Sequence, residues 1–431
     1  MSAAALAKGG FVGYNTISHI KERCPMKYIL VIGDGMADNG VPALAGMTPL
    51  ESADIPHIDA LASAGEVGSV RTVPEMLPPG SDTAILSIMG CDTEKVYSGR
   101  APLEAAAQGI MLEPGTAAFR CNNVALSDGE TLAGRRILSH SGGNIDGELS
   151  KTLIEYLFSH PDFKPLADAA GLSVAPAVSY RHLAFMKNAD ISGIELAPPH
   201  DHLGEEAGAN LPSGCGAAAT LTRLMEAAVP ILSEHPINKE RRANGELPAN
   251  GIWFWAEGTA ARLPSFSEQF GKTGAVISAV PLCQGIARLR GMDAVIVPGA
   301  TGEIDTNYEG KVDAAFDALK THDFVCVHFE APDECTHCHD LAGKLLAIER
   351  LDKLIVAPLV DLMAGRDIRM LILSDHKTLM SDGSHDGDPV PFLIYDSRVD
   401  NRTGAHYTEA DGLRGVMLER GDELLPRLFE Q

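Results

Sequence analysis

Short runs of β-branched and aliphatic residues that break off at polar residues constrain this chain more than any other feature. Tyr28–Ile32 (YILVI) runs into Gly33-Asp34-Gly35, and Ala294–Val297 (AVIV) runs into PGATGE. Phe324–His328 (FVCVH) runs into FEAPDECTH, and Met370–Leu373 (MLIL) into Ser374-Asp375-His376. A further run, Pro391–Tyr395 (PFLIY), follows Ser384-His385. Continuous apolar runs of this kind are buried on both faces, which is the habit of parallel sheets. Helical patterns fill the intervals, over Ile55–Ala64, Lys311–Leu319 and Ala342–Leu362. Strand alternating with helix predicts an α/β fold whose mostly parallel sheet is sandwiched by helices.

At 431 residues the chain exceeds one typical domain of ~150 residues. From Leu112 onward the alternation weakens and loops rich in Gly, Pro, His and Arg multiply, until Gly274–Val280 (GAVISAV) resumes the buried-strand style. The expectation is a core of residues 26–111 and 267–431, interrupted by a smaller α+β domain over residues 112–266. Residues 1–25 hold no 7–15-residue apolar block of the export type, and read as a flexible N-terminal extension. No run of 18 apolar residues is present, so no transmembrane helix is expected. The eight cysteines are scattered, which points to a reducing compartment and to the cytoplasm. Thirty-five basic against 58 acidic residues give a net charge of −23. Such a field disfavours nucleic acid or an anionic membrane as the main partner. A small phosphate is accepted only where metal ions or clustered Arg reverse the local sign.

Parallel sheets bind ligands beyond the carboxyl ends of their strands. The runs deliver Asp34, then Asp333 with His337, then Asp375 and His376 to that edge, and His385 lies between two strands there. Any one of these is more often a strand-end cap or a surface residue; six at one edge are not. Carboxylates and imidazoles suit Mn²⁺, Mg²⁺ or Zn²⁺, and six ligands point to a two-metal site that clamps phosphoryl oxygens. Asp333 and His337 stand four apart and share a helix face, with Pro332 at the helix start. Ser81 precedes a helical run over Asp82–Met89, so it reads as an N-cap. An N-terminal dipole and free amides there would favour an alkoxide or a phosphoserine, although Ser is a common cap in any helix.

Other features carry less. Cys335-Thr336-His337-Cys338-His339 matches the C-x-x-C-H haem-attachment pattern and half of a zinc site. A metal- or haem-binding protein using Cys335, Cys338 and His339 is therefore the non-enzyme alternative. His200-Asp201-His202 reads as a solvated loop or a contact for a charged substrate. Arg100, Arg120, Arg135, Arg136, Arg181 and His182 are candidate anion holders. Arg120 and Arg181 stand out because both interrupt apolar stretches, AAFRCNNVAL and SYRHLAFM.

MKYILVIGDGMAD, PPGSDTAILSIMGCD, SGRAPLEAAAQGI, AFRCNN, SYRHLAF, PGATGEIDTNYEGK, HFEAPDECTH and DHKTLMSDGSHDGDPVPFLIYDS occur in that order. Together they resemble the archaeal-type 2,3-bisphosphoglycerate-independent phosphoglycerate mutases of the alkaline phosphatase superfamily. The resemblance implies an alkaline-phosphatase-like core with an inserted substrate-binding domain. It implies one metal held by Asp333, His337 and His385, and another by Asp34, Ser81, Asp375 and His376, with Mn²⁺ foremost and no 2,3-bisphosphoglycerate. Ser81 would carry the phosphoryl group between 3-phosphoglycerate and 2-phosphoglycerate, the glycolytic and gluconeogenic interconversion. Arg100, Arg120, Asn122, Arg181, His182 and Asp201 would bind this small phosphorylated carboxylic acid, with His182 and Asp201 the candidates for acid–base work. A related branch implies another acceptor, homoserine, with a nucleotide donor, yet no G-x-x-x-x-G-K-[ST] loop is present. The 25-residue extension and the Cys335/Cys338 pair stand outside the family pattern.

Overall fold

The computed structural model describes residues 26–214, 216–399, 401 and 403–430, so the extension expected over residues 1–25 lies outside the described residues. An eight-stranded sheet organises the larger core. Its order is Val416–Leu418, Glu66–Val70, Val390–Asp396, Ile368–Leu373, Lys27–Gly33, Phe324–Phe329, Gly274–Ile277 and Asp293–Val295. Lys27–Gly33 pairs in parallel with Phe324–Phe329 on one side and with Ile368–Leu373 on the other. Tyr28–Ile32 and Met370–Leu373 are buried at every successive position. Both faces of the central strands are therefore covered, as their unbroken apolar sequences require. Among the covering helices are Pro56–Ala64, Pro281–Leu289 and Tyr308–Thr321. The α/β class with a mostly parallel sheet is the one expected, and no helix among the described residues is long and apolar enough to cross a membrane.

Three local readings need correction. Val390–Asp396 runs antiparallel to both neighbours, because the short hairpin Lys377–Thr378/His385–Asp386 reverses the chain before it. An apolar run reports burial on both faces but not direction. The AVIV run ends at the sheet margin, where the strand covers only Asp293–Val295 and Ile296 is exposed. Ser81 is the first residue of the helix Ser81–Ile88, and Gly80 occupies the capping position.

A second, antiparallel sheet is built on Thr116–Leu126, which pairs with Ile137–Ser139, Arg181–Lys187 and Gly251–Thr259; Leu172–Ala175 extends it beyond Arg181–Lys187. One face of this sheet buries Phe119, Cys121, Ala184, Met186 and Phe254 with Leu221, Leu224 and Leu232 of the helix Gly216–Glu234. On the other face, Ala118, Leu183 and Phe185 pack against Ala101 and Ala105 of the helix Arg100–Ala107. That helix also packs against Pro281–Leu289 of the larger core, so it joins the two sheets.

A buried ion pair fixes the loops beyond the central strands. Lys344 Nζ donates to Asp38 Oδ2 at 2.8 Å and to the Thr378 carbonyl at 2.7 Å, and both side chains are withdrawn from solvent. It thereby ties the loop after Lys27–Gly33 to the loop after Ile368–Leu373. Lys344→Met leaves Asp38 buried without its counter-charge, and should cost about 3–5 kcal/mol in a urea titration. Lys344→Met combined with Asp38→Asn should recover much of that loss, since a neutral amide tolerates the same burial. An unchanged midpoint in the single variant would refute this assignment.

Candidate active site

The carboxyl ends of three adjacent strands supply the first functional groups. Asp34 follows Lys27–Gly33, Glu330 and Asp333 follow Phe324–Phe329, and Asp375 and His376 follow Ile368–Leu373. The hairpin opposite Thr378 brings in His385, and the first turn of Ser81–Ile88 brings in Ser81. Gly35 between these strand ends has φ +60°, and a Cβ there would lie 2.5 Å from Thr378 Oγ1 and 2.7 Å from Asp333 Oδ1. The crowding explains why the first strand ends in Gly-Asp-Gly.

Two groups of ligand-type atoms converge. In the first, His337 Nε2 lies 3.1 Å from Asp333 Oδ2, His385 Nε2 lies 3.4 Å from Asp333 Oδ1, and the two imidazole Nε2 atoms are 3.0 Å apart. In the second, His376 Nε2 lies 3.2 Å from Asp375 Oδ2, 3.6 Å from Asp34 Oδ1 and 3.2 Å from Ser81 Oγ. Each carboxylate is anchored through one oxygen. Asp375 Oδ1 accepts from the amides of Gly35 and His376, and Asp34 Oδ2 meets His328 Nε2 at 3.0 Å. The remaining oxygens, Asp34 Oδ1 and Asp375 Oδ2, are buried and have no hydrogen-bond partner among the described residues.

Electrostatics point the same way. Burial, and then Asp375, Glu330 and Asp333, push the Asp34 carboxyl well above the usual range. Burial and Asp333 raise Glu330 to about 8. Burial lowers His376, and it takes His328 down to about 3 with help from Lys311. At Asp333 burial is outweighed by hydrogen bonds from His337 and His385, which hold it well below the ordinary value. Buried carboxylates with unpartnered oxygens beside imidazole nitrogens call for a positive charge among them. A divalent cation bound by oxygen and nitrogen supplies that charge, so the residues present fit metal ions.

His328 and Glu330 escaped the sequence reading. With Asp34 they form a third convergent group, in which His328 Nε2 stands 3.7 Å from Glu330 Oε2. Their signal was position: His328 is the penultimate residue of the Phe324–Phe329 strand and Glu330 follows it, as Asp34 follows its own. No convergent group of three among the described residues includes a cysteine. Cys335 is buried and Cys338 exposed, so the C-x-x-C-H reading gains no support from the geometry.

The anion-holding candidates divide by strand register. Asn122 pairs with Arg181, and Arg120 pairs with Trp255, so these four side chains share the sheet face that packs on Arg100–Ala107. Arg120 forms a bidentate pair with Glu104, which also accepts from Arg100 Nε at 3.3 Å. Arg120 and Arg181 both lie over the Trp255 ring, at 4.6 and 5.4 Å from its centroid. Asn122 is fully buried and committed, accepting from Trp255 Nε1 and donating to the His140 carbonyl, each at 2.9 Å. Its amide thereby joins the Trp255 indole to the His140 backbone.

His182 points the other way. One residue along the strand from Arg181, it faces the apolar core, where Ser150 Oγ meets its Nε2 at 3.2 Å and the Ala177 amide donates to its Nδ1 at 3.0 Å. Burial lowers it to about 4, and nothing exposes it to a substrate. Asp201 lies on an exposed loop, 3.6 Å from His200 Nε2. Arg135 and Arg136 donate mainly to backbone carbonyls around Ser127, Gly129 and Gly204, away from this cluster.

Adding Mn²⁺ or Zn²⁺ to EDTA-treated protein should raise the thermal midpoint, by about 2.7 kcal/mol of stability at a hundredfold excess over Kd. Asp34→Asn and Asp375→Asn should shrink that shift. A midpoint indifferent to divalent ions would contradict the metal reading of the orphaned oxygens.

Comparison with known proteins agrees with this geometry. Residues 26–424 match the Metalloenzyme superfamily. The chain is 41% identical to a probable 2,3-bisphosphoglycerate-independent phosphoglycerate mutase of Geobacter sulfurreducens, over 94% of this chain and 100% of that protein. It is likewise 41% identical to the 2,3-bisphosphoglycerate-independent phosphoglycerate mutase of Methanosarcina acetivorans, over 90% and 95% of the two chains. Among solved structures, a Pyrococcus horikoshii protein superposes with a TM-score of 0.74 at 30% identity, covering 94% of this chain and 96% of its own. The cofactor-independent phosphoglycerate mutase of Thermoplasma acidophilum gives 0.59 at 27% identity, covering 94% and 99%. The chain belongs to the 2,3-bisphosphoglycerate-independent phosphoglycerate mutases, isomerases of the metalloenzyme superfamily.

Proposed function

We propose that this chain interconverts 3-phosphoglycerate and 2-phosphoglycerate through a phosphoserine on Ser81. The observation that carries the reading is the convergence of Ser81 Oγ on His376 Nε2 beside two buried carboxylate oxygens left without partners. Asp333, His337 and His385 would hold one divalent ion, and Asp34, Asp375, His376 and Ser81 a second, with Mn²⁺ the expected metal. Ions bound there lower the pKa of a serine hydroxyl and offset charge on phosphoryl oxygens.

The chain's own groups account for the rest. Ser81 Oγ gives up its proton and attacks phosphorus; its bond to phosphorus forms as the bond from phosphorus to the C3 oxygen of the substrate breaks, and the C3 oxygen takes up a proton to leave as the hydroxyl of glycerate. The N-terminal end of Ser81–Ile88 favours the added negative charge. Glycerate stays bound and turns, and its C2 hydroxyl loses its proton as the oxygen attacks phosphorus, while the bond to Ser81 Oγ breaks and Ser81 regains its proton. Retention needs a second surface, which the face bearing Arg120 and Arg181 offers. Residues 112–266 would serve as the unit that closes this surface over the core, keeping water from the phosphoserine. A small phosphorylated carboxylic acid is then the substrate, and scattered free thiols such as Cys91, Cys121 and Cys326 suit a cytoplasmic location.

An enolase-coupled assay on Mn²⁺-loaded protein, with 3-phosphoglycerate and no 2,3-bisphosphoglycerate, tests the reading. Turnover should vanish with EDTA and fall by more than about 1,000-fold in Ser81→Ala, whose fold and metal content should persist. Acid-quenched wild-type protein should carry one phosphoryl group on the peptide containing Ser81. Metal-loaded protein without turnover would transfer the chemistry to another acceptor, homoserine with ATP being the next to try.

A further inference from the structure

His328 stands in a largely apolar setting, yet each of its ring nitrogens has a polar partner. Its strand, Phe324–Phe329, lies between Lys27–Gly33 and Gly274–Ile277, and Ile85, Cys283 and Ile286 lie beside it. Nε2 stands 3.0 Å from Asp34 Oδ2, and Nδ1 stands 3.2 Å from the hydroxyl of Ser278, the residue that follows Gly274–Ile277. All three side chains are buried. Their backbone is held as well: Lys311 Nζ donates to the His328 carbonyl at 2.9 Å, and Gln284 Nε2 donates to the Ser278 carbonyl at 3.0 Å. A buried polar chain satisfied at each link specifies one arrangement of its members.

Donors and acceptors give this chain a direction. Asp34 as a metal ligand is ionised and can only accept, so the proton between it and His328 resides on Nε2. The Ser278 oxygen accepts from the Val280 amide at 3.0 Å, which leaves its hydroxyl proton for Nδ1. Ser278 thus donates to His328, and His328 donates to Asp34. The other acceptor near Nε2, Glu330 Oε2, is 3.7 Å away, beyond hydrogen-bonding distance. With Oδ2 engaged, the oxygen that Asp34 turns toward His376 Nε2, 3.6 Å away, is Oδ1, which has no hydrogen-bond partner among the described residues. A ring nitrogen that carries a proton has no lone pair left for a metal.

We infer that His328, oriented by Ser278, is a positioning residue that selects Oδ1 of Asp34 as the metal-facing oxygen, and that the Asp34–His328–Glu330 convergence supports the ion beside Ser81 and is not a third ion site. The inference rests on the reading of Asp34 as a ligand of that ion, and adds to it the two residues that set the ligand's orientation. Its reach is confined to one ion. Asp333, His337 and His385 are tied to one another and, through Asp333 Oδ1, to Thr378 Oγ1 at 2.6 Å.

Metal titration tests this without reference to turnover. EDTA-treated protein is titrated with Mn²⁺ in a calorimeter, and bound metal is counted after gel filtration, with Asp34→Asn identifying the ion beside Ser81. The wild-type chain should hold two ions. His328→Leu should weaken the ion that Asp34→Asn removes by about 10–100-fold and leave the other unchanged. His328→Gln, whose side-chain amide can still donate to Asp34, should recover most of that loss. Ser278→Ala should weaken the same ion by a smaller factor, and should add nothing in the His328→Leu background. The urea midpoints of metal-free Ser278→Ala and His328→Gln should stay near wild type, so these two variants carry the test if His328→Leu does not fold. In the coupled assay excess Mn²⁺ should restore the kcat of His328→Leu, with KM for 3-phosphoglycerate unchanged. Wild-type turnover with Mn²⁺ affinity indifferent to Ser278 and His328 would overturn the inference and leave the mutase reading standing. A third ion that disappears in His328→Leu and in His328→Gln would also overturn it, since His328 would then be a ligand. Selective loss of one ion, recovered by Gln, in a protein without mutase turnover would uphold the inference and overturn the mutase reading.

Discussion

Asp34, Asp375, Asp333 and Glu330 are four carboxyl groups withdrawn from water at one end of a parallel sheet, and the surrounding structure is arranged to hold them there. Each of the two aspartates at the second ligand group uses one oxygen for the fold and leaves the other without a partner. An arrangement of this kind opposes folding by its like charges and its lost hydration. It persists because the strands beneath are buried on both faces and because His337, His385, His376 and His328 sit within reach of the carboxylates. The Lys344–Asp38 pair adds a further restraint on the loops that follow two of these strands. The positions of the loops then follow from the sheet beneath them and from this tie, and the ligand-type atoms converge because three adjacent strands end at one edge.

The second sheet solves a different problem with the same period-two rule. Alternate residues of Thr116–Leu126 and Arg181–Lys187 go to opposite faces, so one face is an apolar core and the other carries Arg120, Asn122 and Arg181. The polar face is the one that packs on Arg100–Ala107, and that helix also touches the larger core. Cations are thereby placed between two cores in a chain whose overall charge is −23. Glu104 then decides which of them are spent on the protein, since Arg100 and Arg120 share its carboxylate while Arg181 does not. Local sign matters more here than net charge.

Much of the larger core was legible in the chain because its signal is local. An apolar run that ends in Asp or His names a strand and its functional end together, which is why Asp34, Asp375 and His376 were identified with the sheet itself. Asp333 and His337 were legible from helical spacing. His328 and Glu330 were missed although they close and follow such a run, because a continuous apolar stretch hides a histidine whose partner lies on another strand. The direction of Val390–Asp396 was missed for a related reason: burial on both faces is compatible with either orientation. His182 was misread because two adjacent strand residues, Arg181 and His182, look alike in sequence and are opposed in space.

Residue order by itself determined the α/β class and suggested the metal-ligand candidates and Ser81, since periodicity and strand ends are written in neighbouring residues. Only the tertiary structure decided which oxygens of Asp34 and Asp375 stay free, which arginine lies outside the Glu104 ion pairs, and that Arg181 lies over the Trp255 ring. These are matters of register and distance between side chains on separate elements, as with Asn122 Oδ1 and Trp255 Nε1, 133 residues apart in the chain. A sequence fixes what each segment buries; the packing of segments against one another fixes which polar atoms remain for a ligand.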